Sequence, residues 1–416
     1  MPPLRTSSRL PVWLLALQHR NFRLLWLGQL ISFSGSMMQT AAILWHVALL
    51  VPEDRKGLAL GLVGLVRLLP ILALALVSGV VADASDRRKL MLVTQSAMAL
   101  VAAALALLTF RGLSVVWPIY LLTAASAAAG SFDNPARQSL LPNLVPREHL
   151  PNAIGLNTIM FQTASVLGPS LGGIVIATLG VGYVYLFNAL SFLAVIASLV
   201  LMRGAPVRAR GEAPGISRRA ALEGLRFVFA SPMIRSTMLL DFFATFFSSA
   251  TALLPIFAQD ILRVGPHGYG WLYAAPSLGA MLSSAVLVRW VDWIEARGRV
   301  LLWAVVAYGA ATVVFGLSRA FWLTFFCLAA SGAADTISMV LRNLIRQLET
   351  PDHLRGRAAG VMMVFFMGGP QLGELEAGLV ANWLGAAASV VTGGLGCLAA
   401  TAWIAARTPA LRRYRR

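Results

Sequence analysis

The chain has 416 residues, 58% of them hydrophobic and only 12% charged, with a mean hydropathy of +0.74 and a net charge of +17. Soluble domains carry roughly 25% charged residues, so a soluble multidomain fold is excluded. Repeated apolar runs of about 18 or more residues, enough to cross a ~30 Å hydrocarbon core, indicate an all-α membrane protein. Arg residues punctuate those runs instead of gathering on one face among aromatics, which argues against nucleic acid as a partner.

The opening PVWLLAL is short, lacks a small-residue cleavage site and is followed by His19 and Arg20, so it reads as a surface helix, not a cleaved signal. Twelve spans are expected, at 22–50, 58–82, 90–110, 117–141, 152–178, 181–202, 234–262, 269–290, 299–317, 320–345, 356–381 and 384–406. The stretch RGAPVRARGEAPGISRR is the longest polar connection. It separates an N-terminal six-helix bundle (1–202) from a C-terminal one (232–416), with a linker at 203–231. Of the 34 basic residues, 28 fall on the side that holds both termini and the linker. By the positive-inside rule that side is cytoplasmic.

Between the second and third spans lies GVVADASDRRKLML, residues 79–92. Arg87, Arg88 and Lys89 pin this turn to its side, but acids contribute little to orientation, so Asp83 is left without a reason. Twelve spans, the 6+6 division and this charged turn resemble the major facilitator superfamily, whose signature here runs G-x-x-x-D-(R/K)-x-G-(R/K)-(R/K). Gly79, Asp83, Arg87 and Arg88 match, while Ala84 and Asp86 depart from it. The resemblance implies two pseudo-symmetric six-helix bundles and a latch. Asp83 would dock on the helix N-terminus of span eleven, where Arg355 and Arg357 lie, and close the cytoplasmic side.

The halves echo each other. GPSLGG at 168–173 recurs as GPQLGE at 369–374, Gly155 pairs with Gly356, and Arg137 pairs with Arg342, each before a Pro and an acidic-His-Leu run. Duplicated halves around a midplane site are the architecture of alternating-access transporters. In span five, Gly155, Ala164, Gly168, Pro169, Gly172 and Gly173 resemble the superfamily's antiporter pattern, with Ala at the second small position. That pattern implies export; a generic glycine packing seam is the plainer alternative. GPSLG also fits G-x-S-x-G, but it sits in an apolar span and not at a strand-to-helix turn.

Ionisable groups inside spans are functional candidates. Asp133 and Arg137 sit four apart in span four, acid first, which suits a helical ion pair or a relay toward Asp83. Asp335 lies seven residues before Arg342 on roughly the same face. Arg67 lies about 15 Å into span two and is expected to face a central cavity, holding an anionic group or repelling a proton. Asp241 is expected to pair with Arg235. Glu374 takes the place of Gly173 in the repeat, with Gln371 three residues before it. Glu374 or Asp133 is expected to carry an exchanged proton.

Cys327 and Cys397 fall in apolar runs and the five histidines are scattered. No disulfide, metal, cofactor or enzymatic chemistry is therefore expected, and no G-x-x-x-x-G-K-[ST] loop is present to bind ATP. NFRLLWLGQLISFSG at 21–35, DNPARQSLLPNLVPREHLPNAIGLN at 133–157 and DHLRGRAAG at 352–360 resemble the branch that holds macrolide-efflux and enterobactin exporters. The resemblance implies a monomeric, proton-coupled exporter of small molecules in the bacterial inner membrane. A lipid or lysolipid transporter of the same fold is the alternative. An apolar cavity with a few polar groups is expected.

Overall fold

Each long apolar run folds into helix, the arrangement that satisfies backbone N–H and C=O groups where no water is available. The structure, a computed structural model, describes residues 12–204, 218–351 and 354–415, and no strand occurs among them. A 3-10 helix, Val12–Gln18, leads into α1 (Arg20–Leu50), α2 (Lys56–Ala84), α3 (Arg87–Phe110), α4 (Trp117–Leu140), α5 (Leu150–Thr178) and α6 (Val181–Leu201). The second set is α7 (Arg218–Ala230), α8 (Pro232–Phe247), α9 (Leu254–Ile256), α10 (Gly265–Trp290), α11 (Arg297–Leu317), α12 (Phe321–Glu349), α13 (Arg355–Leu384), α14 (Ala386–Arg407) and α15 (Pro409–Arg412).

Among the described residues, ten stretches are both long and apolar enough to cross a membrane. Two further helices, α4 and α13, have the length but not the apolarity. They carry Asp133, Asn134 and Arg137, and Glu374 and Glu376 respectively, because they line the interior described below. Local chemistry places the helix starts. Pro118, Pro151, Pro232 and Pro266 stand in the first turns of α4, α5, α8 and α10, where a missing N–H costs nothing. Gly180 and Gly385, at φ +98° and +88°, reverse the chain between α5 and α6 and between α13 and α14.

The expected seventh span, 234–262, is not one continuous helix. α8 ends at Phe247, Ser248 and Ser249 leave the helix, and the chain resumes through a 3-10 turn (Ala250–Leu253), α9 and a π-helical turn (Phe257–Ile261). The serine hydroxyl competes for backbone partners: Ser249 Oγ donates to Thr245 O at 2.6 Å and to Pro370 O at 3.0 Å. The linker also gains structure, since its end forms the amphipathic α7. Val228 of α7 is buried with Ile234, Met238 and Ala358 at the start of α13.

Helices α1 to α6 pack on one another, as do α8 and α10 to α14, and the two sets meet along two seams, α2 with α13 and α5 with α10. Glycines bring both seams together on the side away from the termini. A methyl group on Gly57 would lie 2.8 Å from Gly378 O, one on Gly61 3.0 Å from Gly378 Cα, and one on Gly173 2.8 Å from Gly270 Cα. On that far side Tyr269 Oη donates to Ala41 O at 2.8 Å, and Lys56 Nζ lies 3.3 Å from Asp260 Oδ2. Toward the termini the glycines make no such contacts: nothing lies within 4 Å of a methyl group placed on Gly79, Gly155 or Gly368.

Candidate functional site

A cavity of about 340 Å³ lies almost wholly within the first helix set. Helix α1 supplies Gln29, Ser32, Ser36, Gln39 and Thr40, and α4 supplies Thr123, Ser126, Asp133, Asn134 and Arg137. Arg67 of α2, Gln95 of α3, Asn188 of α6 and Gln371 of α13 complete the polar lining. Phe33, Ile43, Ile71, Met98, Phe192 and Val195 supply an apolar wall, as expected, but the amides and hydroxyls set into it are more than a few. Sequence reading missed the α1 residues, although Gln29, Ser32, Ser36 and Gln39 recur every three or four positions, a polar stripe on one face of an apolar helix.

Arg67 does face the cavity, and its Nη2 has no protein partner. Gln371 lies on the same face, and one turn deeper Glu374 packs against Gly64 of α2, with Oε2 buried and unpartnered. Asp133 and Arg137, although spaced for an ion pair, do not form one. Asp133 Oδ1 accepts from Thr94 Oγ1 at 2.9 Å and from Gln95 Nε2 at 3.0 Å. Arg137 donates to Asn134 Oδ1 at 2.9 Å and sits 4.3 Å over the Phe33 ring. Neutral donors reach the carboxylate because α3 packs directly on α4.

Asp241 does not pair with Arg235, whose Nη1 donates to Phe229 O. Its partners come from α12: Arg342 Nη2 at 3.0 Å and Arg346 Nη2 at 3.2 Å. Arg342, only 2% exposed, also meets Asp335 at 3.4 Å, as its spacing suggested. This network lies inside the second helix set, so Arg342 is a core residue here and not part of a cleft between the sets.

The side chains of Asp83, Arg355 and Arg357 lie outside the described residues. Asp86 caps α3, accepting from the N–H groups of Arg88 and Lys89 at 3.0 and 3.3 Å. Arg87 donates to Ser139 O and Arg88 to Val200 O, tying the α2–α3 turn to the ends of α4 and α6 within the first set. Of the span-five motif, Gly168 and Gly172 pack against α1 at Met37 and Met38, Gly173 meets α10, Ala164 is fully buried, and Gly155 has open space.

Residues 13–413, nearly the whole chain, match the family described as transmembrane secretion effector. The chain belongs to this family of major facilitator transporters. Its relatives include the multidrug efflux pump Tap of Mycolicibacterium fortuitum, 29% identical over 85% of this chain and 87% of that one. The enterobactin exporter EntS of Escherichia coli is 27% identical over 97% of this chain and 96% of its own. A solved bacterial homolog of the human lysosomal transporter Spinster, in an inward-facing and unoccupied conformation, shares the fold with a TM-score of 0.72 at 15% identity. It covers 96% of this chain and 98% of that one. The chain is therefore a multi-pass membrane transporter of the efflux type, not an enzyme, and its cargo is a small molecule.

Proposed function

We propose that the chain exports a drug-like or siderophore-like molecule across the bacterial inner membrane in exchange for protons, as a monomer working by alternating access. The observation that carries this reading is an asymmetry along the chain: the seams are glycine-sealed on the far side, glycines toward the termini meet open space, and a cavity in the first set reaches Gln371 of the second. With the termini cytoplasmic, as the distribution of positive charge argues, this is the cargo-loading state. The two bundles, 1–202 and 232–416, then rock about the cavity. In the opposite state Asp83 docks on the start of α13 beside Arg355 and Arg357.

Two buried carboxylates in spans are placed to exchange a proton, Glu374 at the seam and Asp133 on the cavity wall. The names of Tap and EntS support drug or siderophore cargo. The same names set the lipid alternative second. Inverted membrane vesicles that accumulate a reporter dye test the proposal. Accumulation should collapse when a protonophore dissipates the pH gradient, and accumulation indifferent to the gradient would refute proton coupling.

A further inference from the structure

Helix α7 has no task in the transport reading, yet three of its large apolar side chains are left uncovered. Val228 is fully buried against Ile234, Met238 and Ala358, with Phe227 beside it. Leu222, Leu225 and Phe229, spaced three and four apart, share the adjoining side and are 55%, 41% and 41% exposed. Positive charge borders them. Between residues 218 and 235 stand Arg218, Arg219, Arg226 and Arg235 against one acid, Glu223, and Arg226 and Arg235 are exposed.

The uncovered side adjoins membrane spans. The Phe229 ring meets Phe365 of α13 at 6.4 Å between centroids, and Phe365 meets Phe242 of α8 at 5.9 Å. Pro232, directly after α7, opens a stretch long and apolar enough to cross the membrane. An apolar strip against the end of a span, edged by arginines, fits the boundary of a bilayer. Acyl chains take leucine and phenylalanine there, and lipid phosphates take the guanidinium.

We propose that α7 lies in the headgroup region of the cytoplasmic leaflet and binds anionic phospholipid, with Leu222, Leu225 and Phe229 in the acyl boundary and Arg226 at the phosphates. The charge that Arg218 and Arg219 bring to its first turn adds to the attraction. Because Val228 rests on Ala358, the lipid-held helix also steadies the start of α13, the end against which Asp83 is proposed to dock. The choice of leaflet rests on the cytoplasmic termini. The site itself is independent of the cargo and of proton coupling.

Full-length protein with Leu222→Cys in the Cys327→Ala background, labelled with bimane, tests it in nanodiscs doped with brominated phosphatidylglycerol or brominated phosphatidylcholine. Both lipids should quench the probe. The dependence of quenching on lipid fraction should show the anionic lipid binding about five-fold more tightly, the factor that one arginine near the headgroups supplies. That preference should vanish at about 0.5 M salt, where charges are screened within a few ångströms, and in the combined variant Arg218→Gln, Arg219→Gln, Arg226→Gln. No quenching by either lipid would place α7 against water or a soluble partner and overturn the proposal. Equal affinity for the two lipids in the wild type, or a preference that survives the three substitutions, would overturn the anionic site. The readout needs no transport, so its failure is distinguishable from failure of the export reading.

Discussion

Gly64 of α2 lies directly against Glu374 of α13: a methyl group in place of its hydrogen would come within 2.7 Å of Glu374 Oε2 and 2.7 Å of the Gln371 carbonyl oxygen. At the related position on α5, Gly173 faces Gly270 of α10, glycine on glycine. The two seams are thus built alike except that one carries an acid. That acid is buried where the far side must separate if the transporter is to open there.

Gly64→Ala forces α2 and α13 apart, since one of the atoms met is main chain and cannot rotate away. Overpacking of this kind costs about 1–3 kcal/mol, and it falls on the sealed state. Efflux should drop several-fold. A cysteine at Ala381, beside Gly57 on the same seam, should react faster with an impermeant maleimide in a Cys327→Ala background. Unchanged labelling and unchanged efflux together would contradict the seal.

Glu374→Gln keeps the volume and removes the titrating group. Vesicle accumulation of a reporter dye should then lose its dependence on the pH gradient, and Asp133→Asn provides the parallel measurement. Gradient-driven transport that survives in both variants would remove both acids from the proton path.

Asp241 answers two guanidiniums, Arg342 and Arg346, while Asp335 makes one long contact and is 39% exposed at its side chain. Removing one partner of a buried ion pair costs about 3–5 kcal/mol because the other is left charged and dry. Asp241→Asn should therefore lower the melting temperature of the purified protein markedly. Asp335→Asn, partly solvated, should cost about 1 kcal/mol or less. Equal melting shifts in the two variants would refute the unequal roles.

At the terminal-side surface, His19 Nε2 and His149 Nδ1 lie 2.8 Å apart, and Ala16 N donates to Asn152 Oδ1 at 2.8 Å, clasping the Val12–Gln18 helix to α5. One ring must donate and the other accept, so the clasp needs a neutral ring. Burial and then the neighbouring His149 hold His19 below its ordinary value of 6.5. The folded clasp therefore favours the neutral form. It is intact above pH 6.5 and weakens as the pH falls through that value. The amide protection factors of residues 14–20, taken against the base-catalysed intrinsic rate at each pH, should fall on going from pH 7.5 to 5.5, and His149→Ala should flatten the dependence. Protection factors that stay constant in the wild type would contradict the clasp.

The helical membrane fold and the duplicated halves were legible in the chain itself. The length of each apolar run and the recurrence of GPSLGG as GPQLGE are local properties that need no partner to be read. So was the exposure of Arg67 to an interior cavity, because a lone guanidinium at that depth has few other places to go. The break after Phe247 was not legible. The serines there donate outside their own helix, Ser249 to Pro370 O of α13, a partner that no spacing within the span reveals.

What the sequence determined alone is how many residues lie in the apolar phase and which side gathers the positive charge. Water and hydrocarbon sort side chains one span at a time. What only the tertiary structure decided is who meets whom. Asp133 is answered by Thr94 and Gln95 instead of Arg137, Asp241 by Arg342 and Arg346 instead of Arg235, and Glu374 rests on Gly64. Each partnership depends on the rotation and register of one helix against another, and no spacing within a single span contains that information.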